Sequence, residues 1–307
     1  MNKIAIIGNG TQSKRIQKIL RKLKYNFLIY KPIGKKKKDK KNFELVKKCK
    51  IIFICSPDAT HFNYIRQLHH KRFIFCEKIP VTKMKELNFL RKYNLKKIYF
   101  NYNFRFLKIG EILSNLKKYN LGNILHATIV TTKGIAGRKE YKKNWRFNKE
   151  KCPKGVFQII TIHILDLINF FFKIKNIQKP TLLNFSKTGN SFDTSEVKLK
   201  LKNNAVVNIF SSYFAPLYKY WLIIFENGII KIENDSIEIR GPRNSFDKKG
   251  NFEVPRIIKK LKFSAKKDFD FSLVKSVTYF LNKCRKNNII PRHHYQTSLN
   301  SNYLILK

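Results

Sequence analysis

Short, wholly apolar runs alternate with amphipathic segments from the start of the chain to residue 102. The apolar runs predict buried strands at 3–8, 27–30, 50–55, 72–76 and 97–102. The segments between them predict helices at 11–24, 61–70 and 82–93, the first with Ile16, Ile19, Leu20 and Leu23 on one face. Apolar strands that alternate with helices predict a parallel sheet covered on both faces, which is a doubly wound α/β fold.

The pattern changes after about residue 120. A strand at 124–132 precedes a long apolar helix at 155–172, and strand-like runs separated by Asn, Gly and Asp turns follow from 181 to 240. Polar segments predict basic loops at 35–41 and 241–268, and helices close the chain at 269–285 and 295–306. Residues 198–202 alternate strictly, which predicts one solvated sheet face. We therefore expect a parallel α/β domain at 1–120 and an α+β domain with a mostly antiparallel sheet at 121–307.

The apolar segment 155–172 resembles a membrane span in length. It carries Gln158, His163, Asp166 and Asn169, and ionisable groups at mid-bilayer are costly. We therefore predict a buried helix and no association with a membrane. Five cysteines without a CxxC pair predict reduced thiols and a cytoplasmic protein, and no histidine pair has the companions of a metal site.

Composition adds a formal net charge of +46, yet 43% of the residues are hydrophobic, which excludes simple disorder. The charge leaves three interpretations open: a binder of nucleic acid or of an anionic membrane, an enzyme for anionic substrates, or a compositional bias that scatters lysine over solvated faces. Lysines occur along the whole chain, and the basic runs carry few aromatic residues. This favours the third interpretation and makes a nucleic-acid partner the least favoured.

The sequence from Gly8 to Ser13 reads G-x-G-x-x-S between the first strand and the first helix. Gly8 permits a tight turn, and Gly10 lets the backbone approach a pyrophosphate at the helix N-terminus, beside Thr11, Gln12 and Ser13. This indicates a Rossmann-type dinucleotide site. Lys31 follows the second strand, where an acid would bind the ribose of NAD, so NADP is favoured over NAD.

Further motifs follow in order along the chain, and as a set they resemble the Gfo/Idh/MocA oxidoreductases. They are Ser56-Pro57-Asp58-Ala59-Thr60-His61, Cys76-Glu77-Lys78-Ile79-Pro80, the segment 101–106 with Arg105, the pair Trp145-Arg146, and 155–166. The closing helices resemble the last segment of the family. The resemblance implies a two-domain, nicotinamide-dependent dehydrogenase of sugars, inositols and related polyols.

The resemblance also assigns roles. It implies that Ser56, Pro57, His61, Glu77, Lys78, Arg105, Trp145 and Arg146 contact the cofactor, with Lys78 also orienting or polarising the reacting oxygen. Hydride transfer at a carbinol carbon needs a group that exchanges the hydroxyl proton, and His163 titrates near neutrality. Asp166 lies one helical turn after it, where it either contacts substrate or has a structural role. A homodimer or homotetramer is implied by resemblance alone.

Two departures from the family pattern bear on function. Ile159 stands four residues before His163, where the family places an aspartate, and Ile79 stands where a proline follows the lysine. We therefore expect an NAD(P)-dependent oxidoreductase that transfers hydride between nicotinamide and a carbinol or carbonyl carbon of a sugar, polyol or nucleotide sugar. The alternative is a dinucleotide-binding sensor or regulator without turnover. A basic surface would suit a phosphorylated or nucleotide-linked substrate.

Overall fold

The computed structural model describes residues 3–32, 37–93, 95–141 and 144–307, with side chains described from residue 41 onward in the second segment. The strands of these ranges are β1 (Ile4–Ile7), β2 (Phe27–Tyr30), β3 (Ile51–Ile54), β4 (Phe73–Glu77), β5 (Ile98–Asn101), β6 (Ile124–Thr132), β7 (Ile174–Ile177), β8 (Thr181–Leu183), β9 (Thr194–Leu201), β10 (Val206–Ser212), β11 (Tyr218–Phe225), β12 (Gly228–Glu233), β13 (Ser236–Arg240) and β14 (Ile257–Lys262). The α-helices are α1 (Thr11–Lys22), α2 (Lys37–Lys47), α3 (His61–Leu68), α4 (Met84–Tyr93), α5 (Lys108–Ser114), α6 (Ile162–Phe172), α7 (Ala265–Arg285) and α8 (Arg292–Leu306).

The chain forms two compact units. The first comprises Met1–Asn103 together with Ser272–Lys307, and the second comprises Phe104–Phe271. The boundary predicted at residue 120 differs from this division, since the chain leaves the first unit at residue 103. The predicted second domain also included the closing helices, which pack with the first unit instead.

The first unit is built on a five-stranded sheet in the order β2-β1-β3-β4-β5, parallel at every pairing. Strands β1, β3 and β5 are buried at every position, as their apolar sequences require when helices cover both faces. This confirms the predicted doubly wound α/β fold. The order places β1 between β2 and β3, with the start of α1 at the carboxyl edge of the sheet.

The structure describes only part of the basic run at 35–41. Residues 35 and 36 lie outside the described residues, whereas residues from Lys37 onward begin α2. The expected loop is therefore wrong over 37–41. Lysine has a good helix propensity, and burial of Val46 in the last turn of α2 anchors the helix.

The closing helices complete the core of the first unit. The Phe280 ring of α7 packs edge-on against Phe53 of β3, with ring centroids 5.5 Å apart. On α8, the Asn302 amide accepts a hydrogen bond from the Val81 backbone N–H at 2.9 Å and donates one to the Val81 carbonyl at 3.1 Å. A buried side chain thus satisfies both backbone groups of one residue, as a neighbouring strand would.

The second unit is built on a nine-stranded mixed sheet. Its order is β14-β13-β12-β11-β6-β10-β9-β7, and β8 also pairs with β9. The pairing of β6 with β10 is parallel, and the other pairings are antiparallel. This confirms the predicted α+β architecture with a mostly antiparallel sheet. Helix α6 follows a π-helical turn at Phe157–Thr161, and its buried length confirms the helix predicted at 155–172.

The loop predicted at 241–268 is confirmed over most of 241–256 and is wrong over most of the residues that follow. Residues 257–262 form β14, which pairs antiparallel with β13 at one end of the sheet, and α7 begins at Ala265. Ladder hydrogen bonds on one side suffice for an edge strand, so lysine side chains remain in solvent. Among the described helices, none has the length and apolar character needed to cross a bilayer. The five cysteines are buried and unbridged.

Replacing Asn302 with leucine should destabilise the first unit. The substitution leaves the N–H and carbonyl of Val81 buried without partners, which costs about 2–4 kcal/mol for the two groups. Urea unfolding of the whole chain, followed by circular dichroism, measures the change. The matched control is Asn300→Leu on the exposed face of α8, for which we expect less than about 0.5 kcal/mol. Equal losses of unfolding free energy in the two variants would show that the hydrogen bonds between Asn302 and Val81 do not stabilise the first unit.

Candidate functional site

The turn between β1 and α1 depends on glycine at its first position. Gly8 has a φ of +102°, and a Cβ atom there would lie 2.6 Å from the carbonyl oxygen of Cys55. Its N–H donates to the Tyr30 carbonyl at 2.9 Å, which joins the turn to the end of β2. A side chain at this position would therefore push β1 away from β3, and only glycine fits.

The helix N-terminus beyond this turn is open. Gly10 is the residue before α1, no side chain caps the helix there, and a Cβ atom on Gly10 would meet nothing within 4 Å. Thr11 is exposed, whereas Ser13 is buried and its hydroxyl donates to the Gly8 carbonyl at 2.8 Å. Backbone N–H groups at the start of a 12-residue helix thus face open space. These residues fit the pyrophosphate of a dinucleotide.

Lys31 lies directly beside this turn. It follows Tyr30, whose carbonyl accepts the Gly8 N–H, and its side chain is exposed. Because β2 lies next to β1, the ammonium group is at the carboxyl edge of the sheet, where α/β proteins bind ligands. Lys31 thus lies at the end of β2 beside the glycine turn, as its predicted role in binding NADP requires.

The Ser56–His61 motif lies at the end of β3. Ser56 is half-buried and Pro57 is exposed, but the His61 ring is fully buried. The His61 Nδ1 lies 2.8 Å from the Ile79 carbonyl and its Nε2 lies 2.9 Å from the Ser56 carbonyl. The ring therefore joins the chain after β3 to the chain after β4. The cofactor contact expected of His61 stays a prediction, and in the structure both ring nitrogens lie against backbone carbonyls.

Glu77 ends β4 and binds two amides at the carboxyl edge of the sheet. Its Oε1 accepts from Asn101 Nδ2 at 2.7 Å and from Gln12 Nε2 at 3.1 Å. Burial raises the pKa of the Glu77 carboxyl, while these hydrogen bonds and the nearby charges of Lys78 and His61 lower it. The carboxylate thus connects α1 with β4 and β5. Asn101 is a site residue that sequence reasoning did not single out, although it stands at the end of a strand in the quoted motif.

Lys78 is the first residue after β4 and is half-buried. The peptide bond between Lys78 and Ile79 is cis, although Ile79 stands where the family has proline. The side chain thus starts from the carboxyl edge, one residue after Glu77. The predicted position of Lys78 in the fold is the observed one.

In the second unit, His163 lies on the first turn of α6 and is half-buried. Its ring stacks on Phe104, with centroids 4.6 Å apart and an interplanar angle of 17°. Phe104 also meets Phe269 edge-on, with centroids 6.3 Å apart. Stacking on Phe104 therefore restricts the orientation of the His163 imidazole.

Asp166, one turn later, forms a buried ion pair with Arg105. The Nε and Nη2 of Arg105 donate to the two carboxylate oxygens at 2.7 and 2.6 Å, and the side chains are 2% and 0% exposed. The guanidinium also lies over the Phe170 ring at 4.5 Å. Both side chains are almost fully buried, which favours the structural alternative for Asp166 over substrate contact. The cofactor contact expected of Arg105 stays a prediction.

Ile159 lies in the π-helical turn that precedes α6 and is 9% exposed. Its apolar side chain exchanges no proton, so the aspartate of the family pattern has no substitute at this position. Hydrogen bonds in a π-helix join residues five apart, and such turns are frequent at functional sites. Gly155 starts this segment with a φ of +52°. The residue has to be glycine because a Cβ there would overlap the Phe192 carbonyl.

Trp145 and Arg146 form a short 3₁₀ turn in the second unit. The Trp145 side chain is exposed, and the Arg146 guanidinium lies over its ring at 4.7 Å. Burial raises the pKa of the nearby Tyr213 hydroxyl, and the charge of Arg146 lowers it. In the described part of the chain, no group of three or more His, Cys, Asp and Glu side chains could hold a metal ion.

Comparison with known proteins agrees with this geometry. Residues 113–245 match the model of the GFO/IDH/MocA C-terminal domain. None of the curated proteins matches the sequence.

Solved structures match along nearly the whole chain. A myo-inositol dehydrogenase from Corynebacterium glutamicum is 17% identical and covers 99% of this chain and 94% of its own, with a TM-score of 0.71. The dehydrogenase MviM from Clostridium difficile is 18% identical, with 99% and 97% covered and a TM-score of 0.68. A levoglucosan dehydrogenase in complex with NADH is 12% identical, with 99% and 96% covered and a TM-score of 0.76. The two-unit fold is thus shared with these dehydrogenases, and residues 113–245 of this chain are similar to the C-terminal domain of the GFO/IDH/MocA family.

Proposed function

We propose that the protein is an NADP(H)-dependent oxidoreductase that interconverts a carbinol and a carbonyl group on a sugar, polyol or nucleotide-sugar derivative. The observation that carries the proposal is the Gly8–Gly10 turn, whose buried first glycine and open second glycine leave the N-terminus of α1 uncapped. The dehydrogenases with the same fold support the reaction class.

The cofactor would be held at the carboxyl edge of the first sheet. Backbone N–H groups of Thr11, Gln12 and Ser13 would bind the pyrophosphate, and the Lys31 ammonium would bind the 2′-phosphate of NADP. Ser56, Pro57, Glu77 and Lys78 start from the ends of β3 and β4, where the nicotinamide end would lie by resemblance. When bound, the nicotinamide supplies or accepts the hydride.

Two side chains carry the remaining chemistry in this proposal. The His163 imidazole exchanges the hydroxyl proton of the substrate, and its stack on Phe104 keeps the ring in one orientation. The Lys78 ammonium stabilises negative charge on the reacting oxygen. Trp145 and Arg146 remain candidate cofactor contacts. The family aspartate is replaced by Ile159, so His163 acts without a neighbouring carboxylate four residues earlier.

A second candidate function rests on Ile159. An apolar residue at this position favours a dinucleotide-binding sensor or regulator, in which the same turn binds the cofactor without turnover. A cytoplasmic location and assembly as a homodimer or homotetramer remain predictions of both candidate functions.

Replacing Gly8 with alanine should abolish dinucleotide binding. The new Cβ cannot fit 2.6 Å from the Cys55 carbonyl, and φ of +102° is unfavourable for alanine. NADPH fluorescence titration measures the loss, which we expect to exceed about 100-fold in Kd. The control is Gly137→Ala, at an exposed glycine whose Cβ would meet nothing within 4 Å. Unchanged NADPH affinity in Gly8→Ala would refute the assigned site.

Replacing Lys31 with aspartate should reverse the cofactor preference. Loss of a charged hydrogen bond to the 2′-phosphate should weaken NADPH binding about 10- to 100-fold, while the carboxylate gains a ribose contact for NADH. Parallel titrations with the two reduced cofactors measure the ratio of Kd values. Lys14→Asp, on the exposed face of α1, controls for the change in net charge. A preference that stays the same in both variants would remove Lys31 from the site.

Replacing His163 with glutamine should reduce turnover and leave NADPH binding within about threefold, and replacing Lys78 with methionine should also reduce turnover. General acid–base catalysis contributes about 10²- to 10⁴-fold, so kcat with a panel of sugars and polyols should fall by that factor. His126→Gln, on β6, is the control for loss of a half-buried imidazole. If the parent protein binds NADPH tightly and oxidises or reduces no member of the panel, the sensor replaces the enzyme as the better proposal.

A further inference from the structure

A row of polar side chains crosses the helix-covered face of the second sheet. Ser195 pairs with Ser211, Ser211 with Thr131, and Thr131 with Lys219, so the four residues lie at one level on adjacent strands. Paired residues point to the same face of a sheet. The row therefore runs over β9, β10, β6 and β11.

The neighbouring level of the same face is wholly apolar. Val197, Ile209, Ile129 and Trp221 pair in the same manner and are at most 2% exposed. The polar row thus marks the border of the hydrophobic core. A border made of hydroxyls and one ammonium is suited to polar ligands rather than to packing.

Part of the row is fixed by hydrogen bonds. The indole Nε1 of Trp221 donates to Thr131 Oγ1 at 3.0 Å, and the Ser195 hydroxyl lies 3.0 Å from that of Thr161 in the π-helical turn. The Ser211 hydroxyl is buried without a hydrogen-bond partner in the described structure. Such a group costs free energy unless a ligand or water satisfies it.

Lys219 forms the other end of the row. Its Nζ lies 4.8 Å from the centroid of the Trp221 ring, and among the described residues no carboxylate forms an ion pair with it. Burial lowers the pKa of the Lys219 ammonium, and the more distant charges of Asp268 and Asp235 raise it. Both carboxylates accept hydrogen bonds from backbone N–H groups. A half-buried cation that lacks a close counterion favours an anionic ligand.

The row lies in the same unit as the proposed acid–base residue. Asp268, which influences Lys219, is followed by Phe269, and Phe269 meets the Phe104 ring that stacks on His163. Lys219 and His163 are therefore both near the start of α7, Lys219 by the charge of Asp268 and His163 by ring contacts through Phe104. A substrate held by Lys219 would extend along the sheet from the region of His163.

We propose that Lys219 is a specificity-determining residue that binds an anionic substituent, a carboxylate or a phosphate, on the sugar or polyol substrate. The Thr131 hydroxyl beside it hydrogen-bonds the same part of the substrate. This inference rests on the proposed function for its reaction, but the binding of an anionic sugar is measurable without turnover. The two anions share the chemistry that Lys219 recognises, and separate probes distinguish them.

Tryptophan emission measures occupancy of this site. The chain has 2 Trp residues, so Trp145→Phe leaves Trp221 as the single reporter beneath the Lys219 ammonium. The probes are D-glucuronate, D-glucose 6-phosphate and neutral D-glucose, each titrated at constant ionic strength. We expect a saturable change in emission with one or both anionic sugars and none with D-glucose. Equal responses to anionic and neutral sugars, or no response to either anion, would overturn the proposal.

Variants at Lys219 separate charge from packing. Lys219→Met, in the Trp145→Phe background, should weaken binding of the responding anion at least about tenfold, because a charged hydrogen bond is lost. Lys219→Arg keeps the cation and should stay within about threefold. Lys198→Met, an exposed lysine on β9, is the control and should leave the affinity unchanged. Equal weakening in the Met and Arg variants would show that Lys219 acts by packing against Trp221, which contradicts the inference.

A parallel NADPH titration of the parent protein, which keeps Trp145, keeps this inference distinct from the proposed function. If NADPH binds and neutral polyols are oxidised or reduced while no anionic sugar binds, the role of Lys219 is wrong and the oxidoreductase stands. If anionic sugars bind through Lys219 and NADPH does not, the substrate class stands and the oxidoreductase is wrong.

Discussion

The buried ion pair between Arg105 and Asp166 fixes the helix on which the proposed chemistry of the second unit depends. Arg105 is fully charged at all relevant pH values, so its burial requires the carboxylate, and removing either partner from such a pair costs about 3–5 kcal/mol. The adjacent Phe104 stacks on His163, one turn before Asp166. Two consecutive residues thus hold one helical turn, by charge and by ring stacking. The orientation of His163 is therefore a consequence of a contact that itself performs no chemistry.

Local signals carried most of the fold. Strands β1, β3 and β5 are buried throughout, and a wholly apolar run followed by a turn has few other solutions. The prediction for 257–262 was wrong because an edge strand needs only one neighbouring strand and tolerates lysine, so its sequence resembles that of a loop. The sequence also did not predict that 272–307 belong to the first unit. Helical periodicity shows which face of a helix is buried, but it does not show which part of the protein that face packs against.

The candidate site likewise has residues that the sequence predicts and contacts that it does not. The Gly8 turn was predictable because backbone sterics restrict that position to one residue type, and the structure adds the Cys55 carbonyl as the restricting group. The partners of Arg105 and His61 were not predictable, since their contacts lie 61 and 18 residues away along the chain. In a chain of net charge +46, a lysine is a poor signal. Lys219 became distinct only when its burial and strand register were known.

The second unit is inserted between two residues that touch each other. The Asn103 amide donates to the Ser272 hydroxyl at 2.7 Å, so the chain departs from the first unit and re-enters it at one point. During synthesis, the ribosome releases the parallel strands first and the helices that cover them last. Phe53 must wait for Phe280, with the whole inserted unit made in between. The nascent first unit would therefore present an apolar sheet face to chaperones while the inserted unit is already able to fold.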